Sequence, residues 1–157
     1  MKKIIDQKQA SKISAREKTS GKKIILTGGC FDVLHKGHIK FLENAKDDNS
    51  LLFVLLESDE NIKKRKGNNR PINNQENRAT ILSNLSSVDY IIPLVGVTKN
   101  VEYDKLIVQI KPDLIALTKG DLQTEKREEQ CRKFGAKIKI VNKFDAPSTT
   151  DLIKNYG

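Results

Sequence analysis

The sequence predicts an α/β fold in which a doubly wound sheet of five parallel strands carries helices on both faces. Two observations favour this class. Short apolar runs alternate along the 157-residue chain with segments whose apolar residues repeat at helical spacing, and this alternation is typical of βαβ units. Glycines or polar residues follow most of the apolar runs, at the strand ends where open parallel sheets bind their ligands.

The first half of the chain contains three predicted strands. Residues 23–28 form an apolar run that ends in glycines, which predicts a buried parallel strand, and residues 38–46 have helical spacing. Residues 51–56 predict the second strand, residues 61–69 a basic loop or short helix, and residues 89–92 a third strand that Pro93 ends. The helix predicted at 75–85 is expected to turn the following residues to the core: Ala79, Ile81, Leu82 and Leu85.

The second half continues the alternation. A helix at 99–110 ends before Pro112, because the residue before a proline leaves helical geometry. A strand at 113–117 and a helix at 122–134 follow, and Gly135 suits a helix C-cap. The last elements are a strand at 137–141 and a helix at 148–156. The complete pattern predicts a Rossmann-like sheet.

The ends and the composition set limits on function. Residues 1–20 predict a short basic helix or arm weakly tied to a domain at 21–157. A net charge of +9 favours anionic partners, although 5% aromatic content and no Trp give little support to single-strand nucleic-acid binding. The sequence has no apolar run of the roughly 20 residues that cross a bilayer and no secretory signal pattern, so we expect a cytoplasmic protein without membrane contact.

Both histidines of the chain lie in the segment Gly28–His38, as His35-Lys36-Gly37-His38. Glycines let backbone N–H groups approach a phosphate, and a following helix N-terminus favours an anion. The segment matches neither GxxxxGK[ST] nor GxGxxG. Cys30 either is a nucleophile or fills a turn that needs a small residue, and its distance in sequence from Cys131 gives neither a disulfide framework nor a zinc spacing.

A second polar cluster, Ser148-Thr149-Thr150, opens the last predicted helix. Ser148 is a plausible N-cap, and the hydroxyls together with free backbone N–H groups form an anion site. A plain N-cap would explain Ser148 but not the two threonines that follow it.

These two clusters together resemble the signature of the HxGH nucleotidylyltransferase superfamily, whose members transfer a nucleotidyl group from ATP or CTP to a phosphate and release pyrophosphate. The resemblance implies that His35 and His38 stabilise the transferring phosphates and that Mg²⁺ arrives with the nucleotide and is held mostly by phosphates and water, with no dedicated protein metal site. It further implies a homodimer. The implied nucleotide-binding residues are Gly28, Gly29, Cys30, Phe31, Lys119, Gly120, Asp121, Ser148, Thr149 and Thr150.

The middle of the chain resembles one branch of that superfamily, the nucleotidyltransferase domain of ADP-heptose synthases. The resemblance rests on Gly67-x-x-Arg70-Pro71-Ile72 with Arg78, and on a Pro-Asp strand that ends in Lys119-Gly120. It implies AMP transfer from ATP to a sugar phosphate of the D-glycero-D-manno-heptose 1-phosphate type. Arg78 is then expected to stabilise charge, and the implied acceptor-binding residues are Asp32, Asp59, Lys66 and Arg70.

Several alternatives stay open. The branch usually has Lys-Gly-Gly-Asp-aromatic where this chain has Lys119-Gly120-Asp121-Leu122, which leaves the base and the acceptor undecided. The rivals are a glycerol-3-phosphate cytidylyltransferase that uses CTP, an FMN adenylyltransferase, and a basic nucleic-acid-binding domain. The basic run from Lys63 to Arg78 is either a solvated loop or a lid over the phosphates, and Lys46 either reaches a phosphate or is solvated.

Overall fold

A sheet of five parallel strands, in the order β3-β2-β1-β4-β5, organises the computed structural model of the chain. The structure describes residues 2–156, so Met1 and Gly157, the outer ends of the two predicted segments, lie outside the described residues. The strands are β1 (Lys23–Gly29), β2 (Ser50–Leu56), β3 (Tyr90–Pro93), β4 (Leu114–Thr118) and β5 (Lys137–Val141). The α/β class and the five parallel strands are therefore confirmed.

Helices connect the strands and cover both faces of the sheet. Within the described residues they are α1 (Gln7–Thr19), α2 (Lys36–Ala45), α3 (Asp59–Lys66), α4 (Gln75–Ser83), α5 (Asn100–Ile110), α6 (Thr124–Phe134) and α7 (Thr149–Tyr156). No helix among residues 2–156 is long and apolar enough to cross a membrane.

The core divides into two layers because successive side chains of a strand point to opposite faces. Ile24 and Leu26 pack with residues of α1, α5 and α6 on one face, whereas Ile25 packs with residues of α2 and α4 on the other. The chain adds β2 and β3 on one side of β1 and then crosses to add β4 and β5 on the other. The carboxyl ends of β1 and β4 therefore border the topological switch point, the usual ligand position in such sheets.

The N-terminal segment is part of this core, so the prediction of a weakly tied arm is wrong. Ile4 forms a parallel bridge with Ile91 of β3, and Ala10 of α1 is fully buried. The Ser14 hydroxyl, also buried, donates to the carbonyl of Ile110 at 2.5 Å. The basic residues of α1 hid this attachment, because its buried face consists of small side chains such as Ala10 and Ser14.

Residues 61–69 are predicted to form a basic loop or a short helix. The structure has the helix, α3, in this region. Ser58 caps α3 by accepting a hydrogen bond from Asn61 N–H at 3.2 Å, and Gly67 ends the helix with a φ of 94°. Helix α4 buries Ala79 and Leu82 as expected, but Ile81 is 41% exposed. The buried face of α4 is formed by Arg78, Ala79 and Leu82, and Ile81 lies beside it.

Candidate active site

A cavity of about 410 Å³ opens at the carboxyl ends of β1 and β4. It brings together the His cluster, near residue 35, and the Ser-Thr cluster, near residue 148, which are distant in the sequence. The predicted site residues in its lining are Gly28, Gly29, Cys30, Phe31, Asp32, His35, His38, Lys66, Arg70, Asp121, Ser148 and Thr149. Most of the predicted site thus forms one concave surface.

His35 and His38 stack against each other at the start of α2. Nδ1 of His35 accepts a hydrogen bond from the N–H of Gly37 at 3.1 Å, so the neutral ring is assigned its proton on Nε2, where it can be donated to a ligand. Burial lowers the pKa of His35. Burial, with the charges of His35 and Lys66, lowers the pKa of His38 to about 4. Both rings are therefore predominantly neutral at pH 7.

Gly37 is required by this arrangement. A Cβ at this position would lie 2.9 Å from Cε1 of His35 and 3.2 Å from the Cβ of Ala146. The His35 ring can fold back over the first turn of α2 only because Gly37 has no side chain. The glycine of the motif thus fixes the orientation of the first histidine.

Phe31 packs between the end of β1 and the second histidine of the His cluster. Its backbone is in the left-handed region, with a φ of 46°, and its ring lies so close to Gly29 that a Cβ there would be 2.8 Å from Cε2. The same ring contacts His38 edge-on, with centroids 5.5 Å apart. The strained turn therefore holds the loop against the second histidine.

Asp32 holds the segment around Arg70 next to the His cluster. Its buried carboxylate accepts from Nε of Arg70 at 2.8 Å and from the N–H groups of Ile72 and Asn73 at 2.9 Å each. Burial acts to raise the pKa of Asp32, but these hydrogen bonds and the Arg70 charge outweigh it and lower the pKa. Because its oxygens serve the protein, Asp32 positions Arg70 and does not offer the free carboxylate expected for acceptor binding.

Arg70 keeps one donor available. The residue is 8% exposed and lines the cavity. Its Nη2 is buried and has no hydrogen-bond partner among residues 2–156. A buried guanidinium group that is unpaired on one side is suited to a bidentate or charge-assisted bond with a phosphate.

The structure gives Arg78 a role different from the predicted charge stabilisation. Arg78 is fully buried, and its guanidinium donates to the carbonyls of Asn73, Cys30 and Glu57 at 3.0, 2.6 and 2.9 Å. Nη2 also pairs with Oδ1 of Asp59 at 2.6 Å. Arg78 therefore ties together the loops after β1 and β2 and the segment before α4, and Asp59 is its ion-pair partner.

The hydroxyls at the start of α7 are partly engaged by the protein. Thr149 donates to the carbonyl of Val33 at 3.3 Å and so joins α7 to the His loop. The Ser148 hydroxyl donates to Oδ2 of Asp151 at 2.6 Å, and these bonds from Ser148 lower the pKa of Asp151. A carboxylate therefore lines the cavity beside the predicted phosphate-binding hydroxyls, which sequence reasoning did not anticipate.

Five of the predicted site residues do not line this cavity. They are Arg78, Asp59, Lys119, Gly120 and Thr150. Lys46 pairs with Asp89, which also accepts from Leu52 N–H near the start of β2, so it lies at the opposite edge of the sheet from the phosphate loops. The segment after β5 contributes lining residues that the sequence did not signal, namely Asn142, Lys143, Phe144 and Ala146.

The donor set of the cavity fits a Mg²⁺ ion that arrives with a nucleotide. No group of three or more His, Cys, Asp or Glu side chains within residues 2–156 could enclose a metal ion. Asp121 and Asp151 nevertheless give the lining two exposed carboxylates, and carboxylate oxygen is the ligand type that Mg²⁺ accepts alongside phosphate and water.

Residues 26–153 match the family described as cytidylyltransferase-like. The chain belongs to this family. The match begins in β1 and ends in α7, so it includes both the His cluster and the Ser-Thr cluster that line the cavity. Its cytidylyltransferase-like fold also accounts for the position of the cavity at the switch point.

Curated relatives extend the similarity over almost the whole chain. The chain is 38% identical over 153 residues to the Bifunctional protein HldE of Haemophilus influenzae (strain PittEE), an alignment that covers 96% of this chain and 31% of the relative. It is 40% identical over 146 residues to the Bifunctional protein HldE of Aliarcobacter butzleri (strain RM4018), with 93% and 29% covered. The chain thus spans about a third of the length of the relatives it matches.

Solved structures share the fold. A lipopolysaccharide core biosynthesis protein from Thermoplasma volcanium GSS1 matches with a TM-score of 0.62 and 26% identity, covering 80% of this chain and 98% of that one. The pantoate-beta-alanine ligase of Francisella tularensis, complexed with beta-gamma ATP and beta-alanine, matches with a TM-score of 0.62 and 20% identity, covering 98% and 73%. The second similarity bears on the fold alone.

Proposed function

We propose that the chain transfers AMP from ATP to the phosphate of a sugar phosphate of the D-glycero-D-manno-heptose 1-phosphate type and releases pyrophosphate. The observation that carries the proposal is the meeting of the His35–His38 stack and the Ser148–Thr149 cluster in one cavity. The similarity to the HldE proteins supports the heptose phosphate as acceptor.

The reaction is an in-line displacement at the α-phosphorus. A phosphate oxygen of the acceptor forms a bond to that phosphorus, the bond to the bridging oxygen of the pyrophosphate breaks, and the electron pair leaves with pyrophosphate. The protein is left unmodified, because positioning and charge stabilisation supply the catalysis. Mg²⁺ bound with the nucleotide would supply charge neutralisation at the phosphates, and the cavity-lining carboxylate of Asp121 could hold it together with phosphate and water.

The residues differ in the hydrogen-bond donor or positive charge that they present to the phosphates. His35 offers Nε2–H to the transferring phosphate, and His38, stacked on it in the lining, donates a hydrogen bond to the same phosphate. The backbone of Gly28 to Phe31 cradles the α-phosphate, Lys66 and Arg70 neutralise charge beside the His cluster, and the N-terminus of α7 holds the distal phosphates. From the resemblance we expect the segment Lys119 to Asp121 to lie near the nucleoside, and Asp121 of this segment lines the cavity.

The test is pyrophosphate release from ATP and from CTP with three acceptors: D-glycero-D-manno-heptose 1-phosphate, glycerol 3-phosphate and FMN. The proposal expects turnover with ATP and the heptose phosphate, at least tenfold above any other pairing. Preferential turnover of CTP with glycerol 3-phosphate, or of ATP with FMN, would replace it with the corresponding transferase. Salt-sensitive oligonucleotide binding without any pyrophosphate release would favour the nucleic-acid-binding alternative.

A further inference from the structure

A second cavity, of about 250 Å³, lies on the other side of the β1 loop. The residues that line both cavities are Thr27, Gly28, Gly29, Cys30, Leu117 and Asp121. The first cavity also has walls from α2 and α7, whereas the second is walled by α5 and the start of α6. The two spaces therefore meet at the loop that would cradle the α-phosphate.

The polar groups of the second cavity form a network around Glu57, which is 9% exposed. The Tyr103 hydroxyl lies 2.7 and 2.9 Å from the two carboxylate oxygens. Asn61 donates to Oε1 at 2.9 Å and to the carbonyl of Val97 at 2.7 Å. Burial and Glu57 raise the pKa of Tyr103, so its hydroxyl stays protonated. The protein thus engages both Glu57 oxygens, and the network fixes the Tyr103 hydroxyl, whose oxygen can accept a hydrogen bond from a ligand hydroxyl.

Arg65 connects this network to the first cavity. Its Nη2 lies 3.2 Å from Oε2 of Glu57 and 3.5 Å from Sγ of Cys30, which lines both spaces. The Arg65 side chain is 49% exposed, and its Nη2 makes both of these contacts. The remaining guanidinium donors are suited to an anion at the boundary between the cavities.

The remaining lining combines apolar residues, for example Leu55 and Ile107, with polar ones such as Arg127 of α6. A volume of about 250 Å³ is below the roughly 300–1,000 Å³ of sites for drug-sized ligands, which suits a small polar molecule. An in-line reaction also requires the acceptor to approach the α-phosphorus opposite the leaving pyrophosphate. Ser148 and Thr149, the proposed pyrophosphate contacts, line the first cavity and not the second.

We propose that the second cavity binds the body of the acceptor, with Tyr103 recognising a hydroxyl and Arg65 the phosphate, both oriented by Glu57. This inference rests on the proposed transfer reaction and names the acceptor-binding residues of that reaction. The acceptor class is a hydroxyl-bearing small molecule with one phosphate. Its phosphate would lie at the Cys30 boundary, facing the His cluster.

The kinetic test compares Arg65→Ala and Tyr103→Phe with Lys64→Ala. Lys64 is the matched control because it neighbours Arg65, is 61% exposed and pairs with Glu60. With ATP and heptose 1-phosphate we expect the acceptor KM to rise about tenfold or more in Arg65→Ala and about fivefold in Tyr103→Phe. The ATP KM should stay within about twofold, and Lys64→Ala should match the wild type. An unchanged acceptor KM, or a rise in the ATP KM alone, would overturn the inference.

A binding measurement separates this inference from the transfer reaction. The chain has three tyrosines, so ring-¹³C-labelled tyrosine gives a simple spectrum in which Tyr103→Phe assigns the resonance of Tyr103. Heptose 1-phosphate added without nucleotide should shift this resonance, and a non-hydrolysable ATP analogue alone should not. A shift without pyrophosphate release would support the cavity and contradict the transfer. Pyrophosphate release with no shift from the sugar phosphate, or a shift with the ATP analogue alone, would contradict the cavity.

Discussion

The imidazole rings of His35 and His38 stack with their centroids 3.8 Å apart and their planes 28° apart. A stacked pair at this distance cannot accept two positive charges without repulsion, and burial disfavours even one. The pair is therefore arranged to donate hydrogen bonds from neutral rings. Its protonation also couples the active site to the stability of the fold.

Acidification should destabilise the protein through His38. Its pKa is about 4 in the folded protein against 6.5 for the free side chain, so the unfolded chain binds the additional proton between these values. The contribution of His38 to the free energy of unfolding is therefore complete above pH 6.5, and it is lost as the pH drops towards 4. Thermal unfolding of wild type and His38→Gln between pH 7 and 4 should show a shallower pH dependence of Tm in the variant. Equal slopes would contradict the assigned pKa.

Gly37→Ala should separate stability from activity. Alanine is favoured over glycine in a helix by up to about 1 kcal/mol, so Tm should stay the same or rise. The new Cβ would lie 2.9 Å from the His35 ring, so the ring must move and kcat should fall about tenfold or more. Lys36→Ala, on the same turn but exposed, is the control and should leave kcat unchanged. Full activity in Gly37→Ala would contradict the assigned orientation of His35.

Arg78→Ala should lower stability strongly. The change removes the hydrogen bonds to three carbonyls and the pairing with Asp59, and buried carbonyls would lose their partners. We expect a loss of about 3 kcal/mol or more in the free energy of unfolding, measured by denaturant titration. Lys40→Ala, which breaks an exposed pair with Glu43, should change it far less. Wild-type stability with abolished turnover would instead support direct catalysis by Arg78.

Asp151→Asn should strengthen nucleotide binding. The carboxylate of Asp151 lines the cavity and accepts from the Ser148 hydroxyl. Removing its charge relieves repulsion of the distal phosphates, so the ATP KM should fall about threefold to fivefold. Asp145→Asn, an exposed neighbour outside the lining, should have a smaller effect. A higher ATP KM in Asp151→Asn would indicate that the carboxylate binds Mg²⁺ with the nucleotide.

The sequence was sufficient to predict features that depend on residues close together in the chain. Apolar runs located all five strands, and the spacing from His35 to His38 together with the serine and threonines at 148–150 located the cavity. The roles of charged side chains were less accessible. Arg78 has the same appearance in a sequence whether it binds a phosphate or three carbonyls, and its role depends on which loops the fold brings around it.

The second cavity shows the same limit more clearly. Glu57 and Tyr103 are 46 residues apart, and they meet because α5 packs over the end of β2. No local pattern signals this pair. Helical periodicity identified α4 but assigned Ile81 to the core, whereas the helix buries Arg78. In α1, small and polar buried residues such as Ser14 concealed the buried face.

Pyrophosphate release from ATP and D-glycero-D-manno-heptose 1-phosphate, compared between wild type and His38→Ala, tests the central claim most directly. Matched far-ultraviolet circular dichroism and Tm values would show that the variant is folded. The proposal predicts one pyrophosphate for each acceptor consumed by the wild type and a kcat lower by about 10²-fold or more in the variant, as for loss of a donor to a developing charge. Turnover of His38→Ala near the wild-type rate would contradict the catalytic role of the His cluster.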